Sequence, residues 1–171
     1  RKNGSGASVM GINIEGKIIP SVKLNIQGGF TFQRSLYNSP QTWSENPDLE
    51  PRREMFRSPN QYGYLTVTHN PLKAFTIAVS GTYTGTMLLK HYGVNLHDDE
   101  EVWSPQFYDL GVKFAYDINL SENSKLQLNA GIQNIFNSFQ KDFDQGATRD
   151  AGYMYGPSLP RSFYAGLKLS L

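Results

Sequence analysis

The densest set of metal-capable side chains is His91, His97, Asp98, Asp99, Glu100 and Glu101. A run of carboxylates offers the hard oxygens that Ca²⁺ takes, and imidazole nitrogens suit transition metals. The two histidines match no compact ligand spacing, and a charged run on a loop is ordinarily just solvated. His91, His97, Asp98 and Asp99 are therefore weak metal candidates, and no cofactor is expected. A second set, Asp142, Asp144, Arg149, Asp150, Tyr153 and Tyr155, mixes aromatics with charges. Such residues on a loop carried by a rigid scaffold can bind a ligand; the competing reading is packing between loops, with Arg149 paired to a nearby Asp. A third set, Trp43, Arg52, Arg53 and Arg57, can attract an anionic ligand or lipid phosphates, or pair with Glu50 and Glu54. From the second and third sets, Trp43, Arg52, Arg53, Arg149, Tyr153 and Tyr155 are the ligand-binding candidates.

Other chemistries have no foothold. The chain has no cysteine, which removes disulfides and thiolate metal sites. No serine sits in a nucleophile elbow with a His–Asp pair beside it, so no catalytic residue is assigned and the chain reads as a non-enzyme. Gly28-Gly29 lies inside a strand pattern and cannot form a phosphate loop. Sixteen basic and fifteen acidic residues leave a net charge of +1, and the basic residues are scattered, so no nucleic-acid partner is expected.

The elements that must carry these loops are strands. Tyr and Phe contribute ten residues each and Gly sixteen, a composition that favours β structure with tight turns. Alternation with a period of two recurs in seven stretches: Ser8–Lys17, Ser21–Gln33, Gln61–His69, Phe75–Thr84, Leu110–Asn119, Ser124–Gln133 and Arg161–Leu171. In most of them one face is apolar and the other holds Asn, Gln, Thr, Ser and Lys. In Gln61–His69 both faces carry apolar or aromatic residues. No sustained 3.6-residue period marks a helix. No apolar run reaches the roughly 18–20 residues that a membrane-spanning helix needs, which says nothing against spanning strands.

The connections alternate in length. Short ones fall near Ile18–Ser21, Asn70–Lys73 and Leu120–Ser124. Long ones, each above twenty residues, fall at Arg34–Asn60, Gly85–Gln106 and Asn137–Pro160. Compact soluble domains seldom use several loops beyond about 12–15 residues, whereas membrane barrels pair short turns at one end with long loops at the other. Phe30, Phe32, Tyr83 and Phe163 fall at loop-side ends and Tyr116 at a turn-side end, as two aromatic girdles would. The expected fold is all-β, an antiparallel up-and-down transmembrane β-barrel. Bacterial single-chain barrels have even strand counts, and an unpaired edge at membrane depth leaves backbone groups unsatisfied. Residues 1–171 are therefore expected to be the C-terminal strands of a larger barrel.

Particular motifs sharpen this. Tyr164, Gly166, Leu169 and Leu171 resemble the terminal signal of outer-membrane barrels, with Leu171 where an aromatic residue is usual. Gly131-Ile132-Gln133-Asn134-Ile135-Phe136-Asn137 resembles a segment of TonB-dependent receptors. As in that family, a long loop follows, and Pro160-Arg161-Ser162-Phe163 leads into the last strand. The loop text from Lys141-Asp142-Phe143-Asp144 to Tyr155-Gly156-Pro157 resembles Bacteroidetes-type members. The resemblance implies a barrel of about 22 strands, a plug domain absent from this chain, and energy supplied by the TonB complex through that plug. It implies outer-membrane localisation and uptake of a scarce, bulky small molecule or oligosaccharide: a ferric siderophore, haem, cobalamin or a glycan. Outer-membrane lipid and the barrel-assembly machinery are the further partners. A passive porin, a barrel enzyme and a soluble ligand-binding barrel are the alternatives, because alternation defines two faces without saying which is inside.

Overall fold

The computed structural model describes residues 6–171. Ten strands follow in order: β1 (Ala7–Ser21), β2 (Leu24–Gln41), β3 (Arg52–Glu54), β4 (Gln61–Leu72), β5 (Phe75–Thr84), β6 (Leu88–His91), β7 (Glu100–Trp103), β8 (Phe107–Asn119), β9 (Lys125–Gln133) and β10 (Ser162–Ser170). One 3₁₀ turn, Leu96–Asp98, lies between β6 and β7. The long strands form a single sheet in the order β1-β2-β4-β5-β8-β9-β10, with β3 added to β2, while β6 and β7 form a separate hairpin. Every pairing is antiparallel and each long strand lies beside its neighbour in sequence, an up-and-down meander. Among the described residues the sheet is open: β1 pairs only with β2, and β10 only with β9.

The register carries one apolar row across all seven long strands. Ile18 opposes Ile26, Ile26 opposes Val67, and Val67 opposes Val79. The row continues through Val79–Val112, Val112–Ile132 and Ile132–Phe163. The opposite face pairs polar or small residues: Asn13–Thr31, Asn25–Thr68, Thr66–Ser80, Asp117–Gln127 and Gln127–Lys168. Among the described residues no second layer covers the apolar face. Ile12, Leu65, Leu128, Leu167 and Leu169 are all exposed.

Aromatic residues on that face form two bands. At the loop end, Phe30 contacts Phe32 and stacks on Tyr83, with centroids 4.7 and 5.7 Å apart, and Tyr83 meets Tyr108 at 5.0 Å. At the turn end, Phe75 stacks on Phe114 at 6.3 Å, and Phe75 opposes Tyr116. Tyr83 and Phe75 are eight residues apart on β5. Eight steps of about 3.4 Å, on a strand tilted by about 40°, separate the bands by about 21 Å along a barrel axis, near the roughly 25 Å apolar band of membrane barrels.

The turn end is tied by hydrogen bonds. The Lys23 ammonium donates to the Pro71 carbonyl (3.0 Å), the Asn70 amide to the Lys23 carbonyl (2.8 Å), and the Thr76 hydroxyl to Asn70 Oδ1 (2.8 Å). Here the structure corrects the sequence reading. The first turn is Val22-Lys23 rather than Ile18–Ser21, so β1 runs on to Ser21 and Val22 is 97% exposed instead of joining the apolar row. Pro20 was the misleading residue. It sits where the β1–β2 register shifts, on the edge strand, a place where a missing N–H breaks no ladder. Lys23 accordingly belongs to the turn rather than to a paired strand. At the loop end, β2 extends to Gln41, well into what reads as the first long loop.

If the apolar face meets lipid, a cation at its centre is costly. Val112, mid-strand between Val79 and Ile132, is such a position. In the full-length protein, Val112→Arg should lower stability in phospholipid vesicles by about 2–4 kcal/mol. Ser80→Arg, on the polar face of the neighbouring strand, should stay within about 0.5 kcal/mol. Urea unfolding followed by tryptophan fluorescence measures both; equal losses would show that the apolar face does not meet lipid.

Candidate functional site: a loop cluster around His91

The three long connections gather at one end of the sheet, and most of the fully buried side chains lie there. Leu88 and Leu89 are 2% and 1% exposed, and Met87, Leu89 and Tyr153 form a small apolar core with Tyr155 packed against it. The centre of the cluster is the β6–β7 hairpin. Because neighbours on a strand point to opposite sides, the opposed pairs Lys90–Glu101 and His91–Glu100 serve different faces.

The Lys90–Glu101 face meets the first loop. Glu101 accepts a hydrogen bond from Trp43 Nε1 (3.0 Å) and an ion pair from Arg52. Trp43 lies edge-on to Tyr92 (5.2 Å) and Phe56 (6.0 Å). The Lys90 ammonium sits over Phe56 and Trp43, 4.7 and 5.7 Å from the ring centroids. Burial and the nearby Arg57 charge hold its pKa below the ordinary lysine value, with Glu101 opposing them. Asp99, an acid of the candidate metal set, is committed to the same interface. It accepts from the Ser44 hydroxyl (2.6 Å) and the Gly93 amide (3.0 Å), while Asn46 Nδ2 donates to its carbonyl (3.1 Å).

The His91–Glu100 face meets the last loop. His91 Nδ1 is 2.9 Å from Glu100 and Nε2 is 2.9 Å from Asp144, while the ring stacks on Tyr153 at 4.0 Å. Burial alone would lower the imidazole pKa. The hydrogen bonds to Asp144 and Glu100, with the charges of both acids, outweigh it and raise the pKa above the ordinary value. Asp144 is held below the usual carboxylate range, first by the His91 hydrogen bond and then by the Asp150 amide. Asp142 accepts from both phenols, Tyr155 at 2.6 Å and Tyr153 at 3.3 Å. Burial and then the Asp142 charge push Tyr153 up to about 12, and Tyr155 shifts in the same direction. Gln140, 1% exposed, bonds the Tyr153 carbonyl and the Tyr155 amide, both at 2.9 Å. Asp150 accepts from the Tyr92 amide (3.1 Å), and Arg57 donates to the Gly152 carbonyl, so all three loops are joined.

The ends of the last loop are closed by Asn134 and Asn137. Both adopt left-handed backbone, with φ of 51° and 54°, a region that asparagine tolerates better than most residues. The Asn134 amide donates to the Ser138 and Leu159 carbonyls (3.1 and 3.0 Å), and its oxygen accepts from the Ser138 amide (2.8 Å). Asn137 Oδ1 accepts from the Arg161 amide (2.9 Å).

Of the ligand-binding candidates, Trp43 and Arg52 converge on Glu101, and Tyr153 and Tyr155 on Asp142. Arg53 turns back onto the Tyr37 carbonyl (3.0 Å). Arg149 donates to the Gly146 carbonyl (3.0 Å) and pairs with no Asp among the described residues. The metal candidates are not gathered: His91 is taken by two acids, Asp98 bonds Asn95, and among the described residues no group of three or more ligating side chains is placed to hold an ion. Of the barrel-signal residues, Tyr164 lies over Gly131, Gly166 beside Asn129, Leu169 is exposed on the apolar side, and Leu171 is exposed just past the end of β10. Reading from sequence saw Glu101 only as one acid of the charged run at residues 98–101 and passed over Gln140, yet these two organise the two halves. A run of acids does not say which member is committed to a contact, and a lone amide on a loop carries no spacing signal.

This geometry defines an all-β, antiparallel up-and-down sheet, open among the described residues and capped at one end by interlocked loops. The chain matches no protein-family profile and no curated protein sequence. Among solved structures it is similar to a mutant ferric enterobactin receptor from Pseudomonas aeruginosa, with a TM-score of 0.59 and 18% identity, over 96% of this chain and 22% of that receptor. The likeness is one of fold, and the chain spans about a fifth of the length of that receptor.

Two predictions arise from the loop contacts. A raised imidazole pKa means His91 contributes fully below its ordinary value of 6.5, and that contribution is lost as pH rises through its folded value. A depressed Asp144 pKa means the acid contributes fully above 3.8, and that is lost as pH falls through its folded value. The clamp is thus complete between pH 3.8 and 6.5. Hydrogen exchange of the Asp150–Tyr153 amides, corrected for intrinsic rates, should accelerate above this window in the wild type and show no such step in His91→Ala. Separately, Asn134→Ala removes three part-buried hydrogen bonds and leaves alanine in left-handed backbone. It should destabilise the last loop by about 1–3 kcal/mol, seen as faster proteolysis between residues 138 and 159.

Proposed function

We propose that this chain is the C-terminal part of the barrel of an outer-membrane, TonB-dependent receptor that imports a scarce, bulky nutrient. The observation that carries the reading is the register: one apolar row without a break over seven strands, covered by none of the described residues, between two aromatic bands. Lipid is the solvent that suits such a face. The open edges of β1 and β10 support a larger barrel, since backbone groups at membrane depth must pair with further strands. The solved structure with a similar fold is, by its name, a receptor for ferric enterobactin, which supports a nutrient receptor at the level of class. In this reading a plug domain and the remaining strands belong to the same protein, and TonB acts through the plug. The interlocked loops carry Trp43, Arg52, Tyr153 and Tyr155 toward the outside, with Arg53 and Arg149 at their margins. The same row makes Leu169 and Leu171, with Tyr164 and Gly166, the part offered to the assembly machinery.

Fractionation of cells expressing the full-length protein should place it in the outer membrane, soluble only with detergent. Loss of TonB should abolish growth on the limiting nutrient. Leu169→Asp should reduce folded protein in the membrane at least fivefold; recovery of the wild-type amount in soluble form would refute the reading.

A further inference from the structure

The polar face of β4 departs from its neighbours. Where β2 and β5 carry Thr31, Thr82 and Thr84, β4 places Tyr62 and Tyr64, 39% and 37% exposed. Tyr64 belongs to one laterally opposed row across five strands: Glu15, Gly29, Tyr64, Thr82 and Asp109. Four steps of about 4.8 Å make that row about 19 Å long. Gly29 matters here, because a Cβ at that position would come within 2.8 Å of the Tyr64 ring and 2.9 Å of Glu15. The ring therefore lies down across the glycine, beside the carboxylate, with its other side turned away from the sheet. Two adjoining hollows follow the row and meet at Thr82. One, of about 760 Å³, includes Glu15, Thr31, Tyr62 and Tyr64; the other, of about 360 Å³, includes Ser80, Asp109 and Gln133 beneath residues 157–160.

The chemistry of this wall is selective. Neither hollow has a lysine, arginine or histidine in its lining, and each holds one carboxylate. An anionic chelate finds no counter-charge there and two like charges. The polar groups are ordered in advance: Asn13 donates to Glu15 Oε1 (3.1 Å), Thr31 donates to Asn13 Oδ1 (2.9 Å), and Gln27 reaches the Tyr64 hydroxyl (3.4 Å). Glu15 Oε2 and the Tyr62 hydroxyl have no partner among the described residues. Flat aromatic faces beside carboxylate, amide and hydroxyl groups match a pyranose ring, which lays its C–H face on an aromatic and turns its hydroxyls to the acceptors.

We propose that the row Glu15–Gly29–Tyr64–Thr82–Asp109, with Tyr62, is a binding track for a neutral oligosaccharide on the inner wall of the barrel. The proposal rests on the reading above, in which this face lines the barrel interior. The test uses the full-length protein purified from outer membranes in detergent. Linear hexasaccharides (maltohexaose, cellohexaose, xylohexaose and mannohexaose) are titrated by calorimetry, with ferric citrate and spermidine as anionic and cationic controls. At least one saccharide should bind and the controls should not. Tyr62→Ala with Tyr64→Ala should weaken it about tenfold or more, the scale for removing an aromatic anchor, while Tyr64→Phe keeps affinity within about twofold. Retained resistance to unfolding by SDS before heating shows that each variant is folded. The proposal is overturned if no saccharide binds, if the double variant binds as the wild type does, or if a control binds in preference. A protein that sits in the outer membrane but binds no saccharide overturns this proposal alone; one absent from that membrane overturns the receptor reading as well.

Discussion

A slip of one residue in any ladder of this sheet would turn a whole strand inside out. Everything else depends on that not happening. Six consecutive ladders keep apolar opposite apolar, so the sheet has two chemically distinct faces without a second layer to enforce them. The irregularities stay at the margins. Register shifts fall at Ile18–Ser21 and His69–Leu72 on the turn end and at Leu36–Gln41 on the loop end, outside the stretch between the aromatic bands. Pro20 and Pro71 sit within the first two of these, where a missing donor does no harm.

The loops solve a different problem. A single sheet with no second layer among the described residues has no core of its own, yet loops of this length must be ordered to present a surface. They make a small water-type core instead, around Leu88, Leu89 and Tyr153, and lock it with buried polar side chains such as Asn46, Asp99 and Gln140. The two-faced β6–β7 hairpin lets one short element serve both neighbours: an aromatic and cationic contact toward the first loop, and an imidazole between two acids toward the last.

How much of this was legible in the sequence follows from range and repetition. Alternation over nine or more residues, as in Phe107–Asn119 or Lys125–Gln133, is a strong local signal, and all seven long strands were readable from it. Turn chemistry was less certain, because Pro20 breaks a ladder only where its N–H would have been used. Strands β3, β6 and β7 are three or four residues long, too short for a period to show. The site contacts were hidden for a related reason. Trp43 and Glu101 are 58 positions apart, and His91 and Asp144 are 53 apart, so their meeting depends on which loops the sheet brings to one end. Tyr62 and Tyr64 were visible as an exception to the two-faced pattern, though their direction along the wall needed Gly29 in place.

The asparagine pair at the end of β9 has a consequence for how this surface can change over time. With Asn134 bonded to Leu159 and Asn137 to Arg161, the segment between them is a ring closed at its neck, and the closure cost has already been met by the sheet below. Enlarging a closed ring costs little, about 0.6 kcal/mol for each doubling of its length. The tip around Gly146, where φ is +91° and no atom crowds the glycine, is therefore free to gain or lose residues while the neck stays as it is. Diversity can be written into the middle of the loop and erased again without the barrel registering either event.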